Sequence, residues 1–140
     1  MKKLFALLVS VSILLSGASL AIQPEIVGGI RDGLAVGIMA DHQLGKNYGM
    51  RMGLEATTGA QPLILFLGGK FYLTNLTYGT PFSLGLGFVS YMGSSRNNSL
   101  GFGISGIINN AFGIKPMFVE VGVDIVDTAR AQVQVGYKLH

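Results

Sequence analysis

The chain contains no cysteine, and only 12% of its 140 residues are charged. Without cysteine it has no disulfides, no thiolate chemistry and no site for the lipid anchor of a lipoprotein. It has only two histidines, His42 and His140, which are too far apart in sequence to suggest a metal site. The sequence also has no basic patch for nucleic acid. We therefore expect a fold held by backbone pairing and packing, without a cofactor.

After residue 21 the chain also lacks any apolar run approaching the roughly 20 residues that a membrane-spanning helix needs. Nevertheless, 49% of the residues are hydrophobic and the mean hydropathy is +0.51. A chain that is apolar overall but nowhere continuously apolar is typical of strands with alternating faces. The 21 glycines are scattered through the same segments, where a narrow barrel needs small inward residues.

The first 21 residues have the pattern of a secretory signal peptide. Lys2 and Lys3 form the positive start, residues 4–15 form the apolar stretch, and Ser19-Leu20-Ala21 is a small-x-small cleavage site. A membrane-anchoring helix is the less favoured alternative, because the apolar stretch is too short to span a bilayer. We predict a signal peptide over residues 1–21 and one β-barrel domain over residues 22–140.

Residues 130–140 show the clearest period-two alternation in the chain. One face would carry Ala131, Val133, Val135, Tyr137 and Leu139, and the other Arg130, Gln132, Gln134, Lys138 and His140. Turn signals, such as the tight-hairpin pair Asp32-Gly33, divide the rest into similar segments. The predicted strands cover residues 26–30, 34–44, 48–57, 63–74, 82–92, 100–109, 117–126 and 130–140, with a loop over residues 75–81.

The two faces of these strands differ in composition. In residues 117–126, Val119, Val121 and Val123 alternate with Glu120 and Asp124. A water-soluble barrel would have a mixed face dense in Lys, Glu and Thr, whereas here that face is rich in glycine and has few charges. We therefore predict an all-β, antiparallel up-and-down transmembrane barrel of about eight strands, with the aliphatic face toward lipid. A soluble periplasmic, lipocalin-like lipid-binding barrel is the alternative.

Alternation places ten charged residues, five of each sign, on the mixed face and therefore inside the barrel. They are Glu25, Arg31, Asp41, Arg51, Glu55, Lys70, Glu120, Asp124, Arg130 and Lys138. From these we predict a lumen charge network of Arg51, Glu55, Lys70, Glu120, Asp124, Arg130 and Lys138, centred on Arg51, Glu55, Glu120 and Arg130. An eight-stranded interior is too narrow for an aqueous channel, which favours a salt-bridged plug. A gated ion path through the network is the alternative.

Two further sequence features bear on cofactor binding and catalysis. Residues 101–106, Gly-Phe-Gly-Ile-Ser-Gly, match a dinucleotide-binding pattern, but they lie within a predicted strand rather than between a strand and a helix. A lipid A- or phospholipid-modifying enzyme would need a histidine with a serine and an acid. His42 lies on the aliphatic face, so catalysis is the less favoured alternative, and we predict no enzyme and no dinucleotide.

Segments at residues 68–74, 84–88 and 133–139 resemble those of the small eight-stranded outer-membrane barrels. That group is typified by the transmembrane domain of outer membrane protein A and its opacity-protein relatives. The resemblance implies a porin-like cell-envelope protein of the bacterial outer membrane, with a periplasmic N-terminus and a structural or minor channel role. It also implies outer-membrane lipids and the outer-membrane assembly machinery as partners.

The sequence departs from that family in two respects. The chain ends in Leu139-His140 instead of the aromatic residue that the assembly machinery reads. The predicted outer connections, at residues 31–33, 58–62, 93–99 and 127–129, are short, which makes adhesion through long loops less favoured.

Overall fold

The computed structural model describes residues 2–6, 8, 22–93 and 97–139, and residues 2–6 and 8 are helical. The predicted cleavage site at residues 19–21 and the terminal His140 lie outside the described residues. Within the described ranges, no helix is both long enough and apolar enough to cross a membrane.

The described part of the chain forms eight β-strands in one closed antiparallel barrel. They are β1 (Ile22–Arg31), β2 (Leu34–Gln43), β3 (Tyr48–Thr57), β4 (Leu63–Thr77), β5 (Thr80–Met92), β6 (Ser99–Asn109), β7 (Met117–Ile125) and β8 (Ala129–Lys138). Each strand pairs with the next, and β1 pairs with β8, where Glu25 lies opposite Lys138. The predicted eight-stranded up-and-down barrel is therefore confirmed.

The barrel has two unlike ends. The turn end carries the β1–β2, β3–β4, β5–β6 and β7–β8 connections. Asp32 and Gly33 make the first of these, and both have the positive φ, 55° and 126°, that a two-residue hairpin needs. The terminal end carries the other three connections, the start of β1 and the end of β8. A short 3-10 helix, Ala111–Gly113, lies in the β6–β7 connection at the terminal end.

The predicted loop over residues 75–81 is wrong. There β4 continues to Thr77 and β5 begins at Thr80, so the turn is only Tyr78 and Gly79. Pairing with β3 stops at Phe71, and pairing with β6 stops at Phe82. The hairpin therefore projects as a two-stranded ribbon, and two β-bulges break its regular alternation. No neighbouring strand or core covers either face of this ribbon. Polar residues can therefore form its backbone hydrogen bonds as readily as apolar residues.

The start of the first strand is also corrected. It begins at Ile22 instead of residue 26, and it includes Pro24. Proline lacks the backbone N–H, but the carbonyl of Pro24 accepts a hydrogen bond from the N–H of Leu139 at 2.8 Å. The backbone beside this proline is therefore tied into the closing seam of the barrel.

The strand faces separate as the alternation predicts. Outward side chains are apolar and exposed, with Ile38 at 62% and Val121 at 51% of their full accessibility. Inward charged side chains are almost completely covered, including Arg51 at 0% and Glu120 at 3%. The barrel is thus apolar outside and polar inside, the reverse of a water-soluble protein.

Apolar side chains fill the space between the inward charges. The cluster consists of Val27, Met39, Ile64, Phe66, Val89, Tyr91, Ile107 and Phe118. Glycine makes room for it at one crowded point, where a Cβ on Gly136 would lie 2.0 Å from Cζ of Phe118. The lumen is therefore packed with side chains, as expected for an eight-stranded barrel.

Candidate functional site in the barrel lumen

All seven acidic residues of the chain are described, and all seven lie inside the barrel or at its turn-end mouth. Each is in an ion pair: Glu25, Asp32, Asp41, Glu55, Glu120, Asp124 and Asp127. The outer wall consequently carries no carboxylate. The ion pairs are arranged in successive layers along the barrel axis.

The layer near the turn end is centred on Arg31, and we call it the Arg31 layer. The Arg31 guanidinium donates to Glu55 at 2.6 Å and to both oxygens of Asp124, at 2.7 and 3.0 Å. The Tyr91 hydroxyl also donates to Asp124, and the amide of Gln134 donates to Glu55. Both carboxylates are thus held by two donating side chains, one of them through a bidentate arginine contact. This layer spans the lumen between β1, β3 and β7.

The next layer, the Arg51 layer, lies deeper in the lumen. Arg51 donates to Glu120 at 2.8 Å, and its guanidinium lies 5.2 Å from the ring centre of Phe118. The other oxygen of Glu120 accepts from Ser105 at 2.7 Å and from Gln132 at 3.1 Å. Glu120 is therefore fully hydrogen-bonded.

The other two carboxylates of the Arg51 layer are held more loosely. Arg51 lies 3.6 Å from an oxygen of Glu25 and 3.7 Å from an oxygen of Asp41. Seven buried side-chain atoms have no hydrogen-bond partner among the described residues, and only one of them, Oε1 of Gln134, belongs to the Arg31 layer. The other six are both carboxylate oxygens of Glu25, Oδ1 of Asp41, Nε and Nη1 of Arg51, and Oε1 of Gln132. The polar groups in this half of the lumen are consequently less well satisfied than those in the Arg31 layer.

The turn-end mouth is occupied by Arg130. Its guanidinium donates to Asp32 and Gln61, both at 3.0 Å, and to Asp127 at 2.8 Å. It also lies 4.4 Å from the ring centre of Tyr91, in cation–π geometry. The hydrogen bond from Arg130 lowers the pKa of Asp127 below its usual value. Arg130 therefore joins three connections of the turn end above the Arg31 layer.

The opposite mouth contains a cavity of about 280 Å³, which we call the terminal-end cavity. Asp41, Lys46, Lys70 and Lys138 are the Asp, Glu, Lys and Arg residues that line it. Lys70 donates to Asp41 at 2.8 Å. Lys138 donates to the side-chain carbonyl of Asn109 at 3.2 Å. The terminal end of the lumen therefore carries a charged cavity, whereas the buried ion pairs of the Arg31 layer lie toward the turn end.

The structure places all seven residues of the predicted network on the inward face, but it does not bring its predicted centre together. Arg51 and Glu120 pair directly, whereas Glu55 belongs to the Arg31 layer and Arg130 to the turn-end mouth. Arg51 and Glu55 are four positions apart on β3, a distance of about 13 Å at roughly 3.3 Å per residue. At that spacing the two side chains lie at different depths in the lumen. Glu55 therefore pairs with Arg31, and Arg51 pairs with Glu120.

Sequence reasoning left three residues of the Arg31 layer out of the network. The predicted lumen includes Arg31 but the predicted network does not, and Tyr91 and Gln134 are outside the network because it contains only charged residues. Gln134 and Tyr91 lie at inward positions of their strands, so alternation was the signal that identified their direction. Their contact with Glu55 and Asp124 depends on depth in the barrel, which alternation does not give.

The remaining motifs have ordinary places in the fold. Residues 101–106 all lie within β6, and only the three-residue 3-10 helix and the next antiparallel strand follow them. His42 lies at an outward position of β2, next to the terminal-end cavity. Within the described ranges, no group of three or more His, Cys, Asp or Glu residues is placed to hold a metal ion.

Comparison with known proteins identifies no matching family model and no matching curated protein. The chain is similar to one solved structure, the N-terminal β-barrel domain of Pseudomonas aeruginosa OprF, with a TM-score of 0.60 and 11% identity. The match covers 85% of this chain and 97% of that domain. At this identity the similarity is one of fold. The chain therefore has the fold of the small eight-stranded outer-membrane β-barrels, as its segments predicted.

Proposed function

We propose that the protein is a structural β-barrel of the bacterial outer membrane, with a lumen closed by a salt-bridged plug. The observation that carries the proposal is the position of the carboxylates, since all seven lie in the lumen or at its mouth. Lipid does not solvate charge, so a chain selected for a bilayer keeps its carboxylates off the outer wall. Outer-membrane lipids and the assembly machinery that inserts such barrels are its expected partners.

The outer wall supports lipid as the surrounding medium. Leu34 and Leu100 are 69% and 71% exposed, and Leu67 and Phe88 are 53% and 57% exposed. These side chains belong to a continuous apolar surface around the barrel, whereas soluble monomers rarely expose an apolar patch larger than a few hundred Å². The soluble lipocalin-like alternative would need a polar outer wall and an apolar cavity for its ligand. The packed, charged lumen and the apolar wall both argue against it.

The Arg31 layer supports a closed lumen. Arg31, Glu55 and Asp124 are each at most 1% exposed, and their short ion pairs span the interior between β1, β3 and β7. Passage of an ion would require these pairs to separate inside a low-dielectric wall. A minor channel is the second candidate, and the loosely bonded Arg51 layer favours it. It would conduct only if the Arg31 layer also opened.

Cell fractionation followed by bilayer recording tests this proposal. We expect the protein in the outer-membrane fraction, released by detergent, with gel migration that changes on heating. We also expect little or no conductance from the purified wild-type protein in planar bilayers. Recovery of most of the protein in a detergent-free periplasmic extract would contradict the location. Large, stable wild-type conductance would contradict the plug and favour the channel.

A further inference from the structure

Lys138 differs from the other cationic side chains inside the barrel. Arg31, Arg51, Lys70 and Arg130 each have an ion pair with a carboxylate. Among the described residues, Lys138 has no such pair, and its ammonium group donates only to the neutral Asn109. This ammonium group borders the terminal-end cavity, and its cross-strand neighbour is Glu25, which pairs with Arg51 at 3.6 Å. We propose that the terminal-end cavity is a binding site for a phosphate group, held by Lys138 with Lys46 and Lys70.

The charge of the cavity wall favours an anion. Three lysines line the cavity against one carboxylate, that of Asp41. Lys70 neutralises Asp41 at 2.8 Å, and Arg51 lies on its other side at 3.7 Å. The lining therefore carries three positive charges and one negative charge, and Glu25, opposite Lys138, adds a second carboxylate just outside it. A cation would be repelled by this wall, and an apolar ligand would leave its ammonium groups without acceptors.

The donor geometry favours phosphate over a flat carboxylate. The site presents ammonium groups and no arginine fork, and lysine binds phosphate as a point charge with donors in several directions. Ser83, Tyr48 and Tyr72 also line the cavity and offer hydroxyl groups. Donors supplied by several strands, with lysines on β4 and β8, can approach the oxygens of a tetrahedral phosphate from different directions. A cavity of about 280 Å³ has room for the phosphate together with water.

Phosphate titration of the full chain, folded in a zwitterionic detergent at low ionic strength, tests this site. Inorganic phosphate followed by NMR or calorimetry should bind the wild-type protein saturably. Lys138→Met should weaken binding roughly tenfold or more, since it removes a charged hydrogen-bond donor. Lys138→Arg should keep much of the affinity. These measurements do not depend on where the protein resides in the cell, so they are independent of the proposed outer-membrane function.

Lys115→Met is the matched control, because Lys115 lies at the same end of the barrel but outside the cavity lining. It should leave phosphate binding unchanged. No saturable binding to the wild-type protein, or equal weakening by Lys115→Met and Lys138→Met, would overturn the proposal. If Lys138→Met does not fold, Lys46→Met in the exposed β2–β3 turn provides the same test and should also weaken binding.

Competition by a short-chain phosphatidylglycerol identifies the source of the phosphate. Displacement of inorganic phosphate by this lipid would identify a headgroup site. Binding of inorganic phosphate without competition would identify a site for a soluble phosphate compound. Both results presuppose saturable binding of inorganic phosphate, and both support a phosphate site.

Discussion

Arg31 and Arg51 are both buried in the lumen, but the groups around them are satisfied to different degrees. Arg31 makes three short hydrogen bonds to two carboxylates, and those carboxylates receive further donors from Tyr91 and Gln134. Arg51 makes one short carboxylate contact, to Glu120. Removing Glu120 would leave Arg51 with only the two looser carboxylates, whereas removing a partner of Arg31 would still leave a short pair.

Glu120→Ala should therefore lower the free energy of unfolding by about 3–5 kcal/mol, because it leaves a buried guanidinium without its short partner. Asp127→Ala is the control, since Asp127 is 54% exposed and its pair with Arg130 is screened by solvent. The control should leave stability nearly unchanged. Urea unfolding in the presence of lipid vesicles measures both variants. Equal stability of the two variants would show that the Arg51–Glu120 pair has no special role.

Gly136→Ala should also destabilise the barrel, by about 1–3 kcal/mol, because the added Cβ would strike the Phe118 ring in a packed interior. Gly28→Ala is the comparison on the neighbouring strand β1, where the nearest atom to the new Cβ, the carbonyl oxygen of Ala35, is 3.7 Å away. It should have little effect on the same urea unfolding curve. A similar loss in both variants would indicate a general strand effect and not the contact with Phe118.

At the scale of the elements, alternation predicted the strands and the direction of the charged side chains. Eight strands that each have one apolar and one mixed face can close into a barrel with the apolar faces outward. The structure has that arrangement. The partners of each charge were not predictable, because they depend on depth and on contacts across the lumen. Arg31 reaches Glu55 and Asp124 from β1, although neither strand that carries them is hydrogen-bonded to β1.

The ribbon formed by the ends of β4 and β5 shows a second limit of sequence reasoning. Residues 75–81 are predicted to be a loop, because strands are identified from sequence by the apolar alternation of a buried face. This segment, which contains Asn75, Thr77 and Thr80, lacks that alternation. The ribbon extends past its neighbours, so its pairing is not accompanied by burial of one face. In this segment the strands are defined by their backbone hydrogen bonds alone, and the pattern of side chains in the sequence does not predict those bonds.

The outer face of β7 allows the lipid environment to be tested. Val121→Arg, in the middle of the strand and 51% exposed, should lower folding stability in lipid vesicles by about 2–4 kcal/mol. Ala129→Arg is the comparison, because Ala129 is also outward but is the first residue of β8, at the turn-end rim. Its effect should be about 0–1 kcal/mol, as for charges near an interface. If arginine is tolerated equally at both positions, the outer wall does not lie against lipid.

For the whole molecule, the separation of apolar from charged side chains accounts for both the barrel fold and the proposed outer-membrane location of the protein. Apolar side chains cover the outside of the barrel, while carboxylates, arginines and a smaller apolar cluster fill the inside. The lumen is also asymmetric, with the more fully bonded Arg31 layer toward the turn end and the terminal-end cavity at the other. Any solute that enters from the terminal end would therefore meet lysines first and the buried ion pairs of the Arg31 layer beyond them.

The seam between β1 and β8 sets the order in which the chain can fold. Seven of the eight strand pairings join consecutive strands, which can meet as local hairpins within microseconds. The seam joins Glu25 to Lys138, across nearly the whole described barrel. Arg31–Asp124 and Arg51–Glu120 are likewise 93 and 69 positions apart. These ion pairs form only when the open sheet curls shut, and non-local closure of this kind is slow. Until then, one face of the sheet carries unpaired charge. Under the proposed outer-membrane function, insertion into the bilayer and closure of the barrel therefore proceed together.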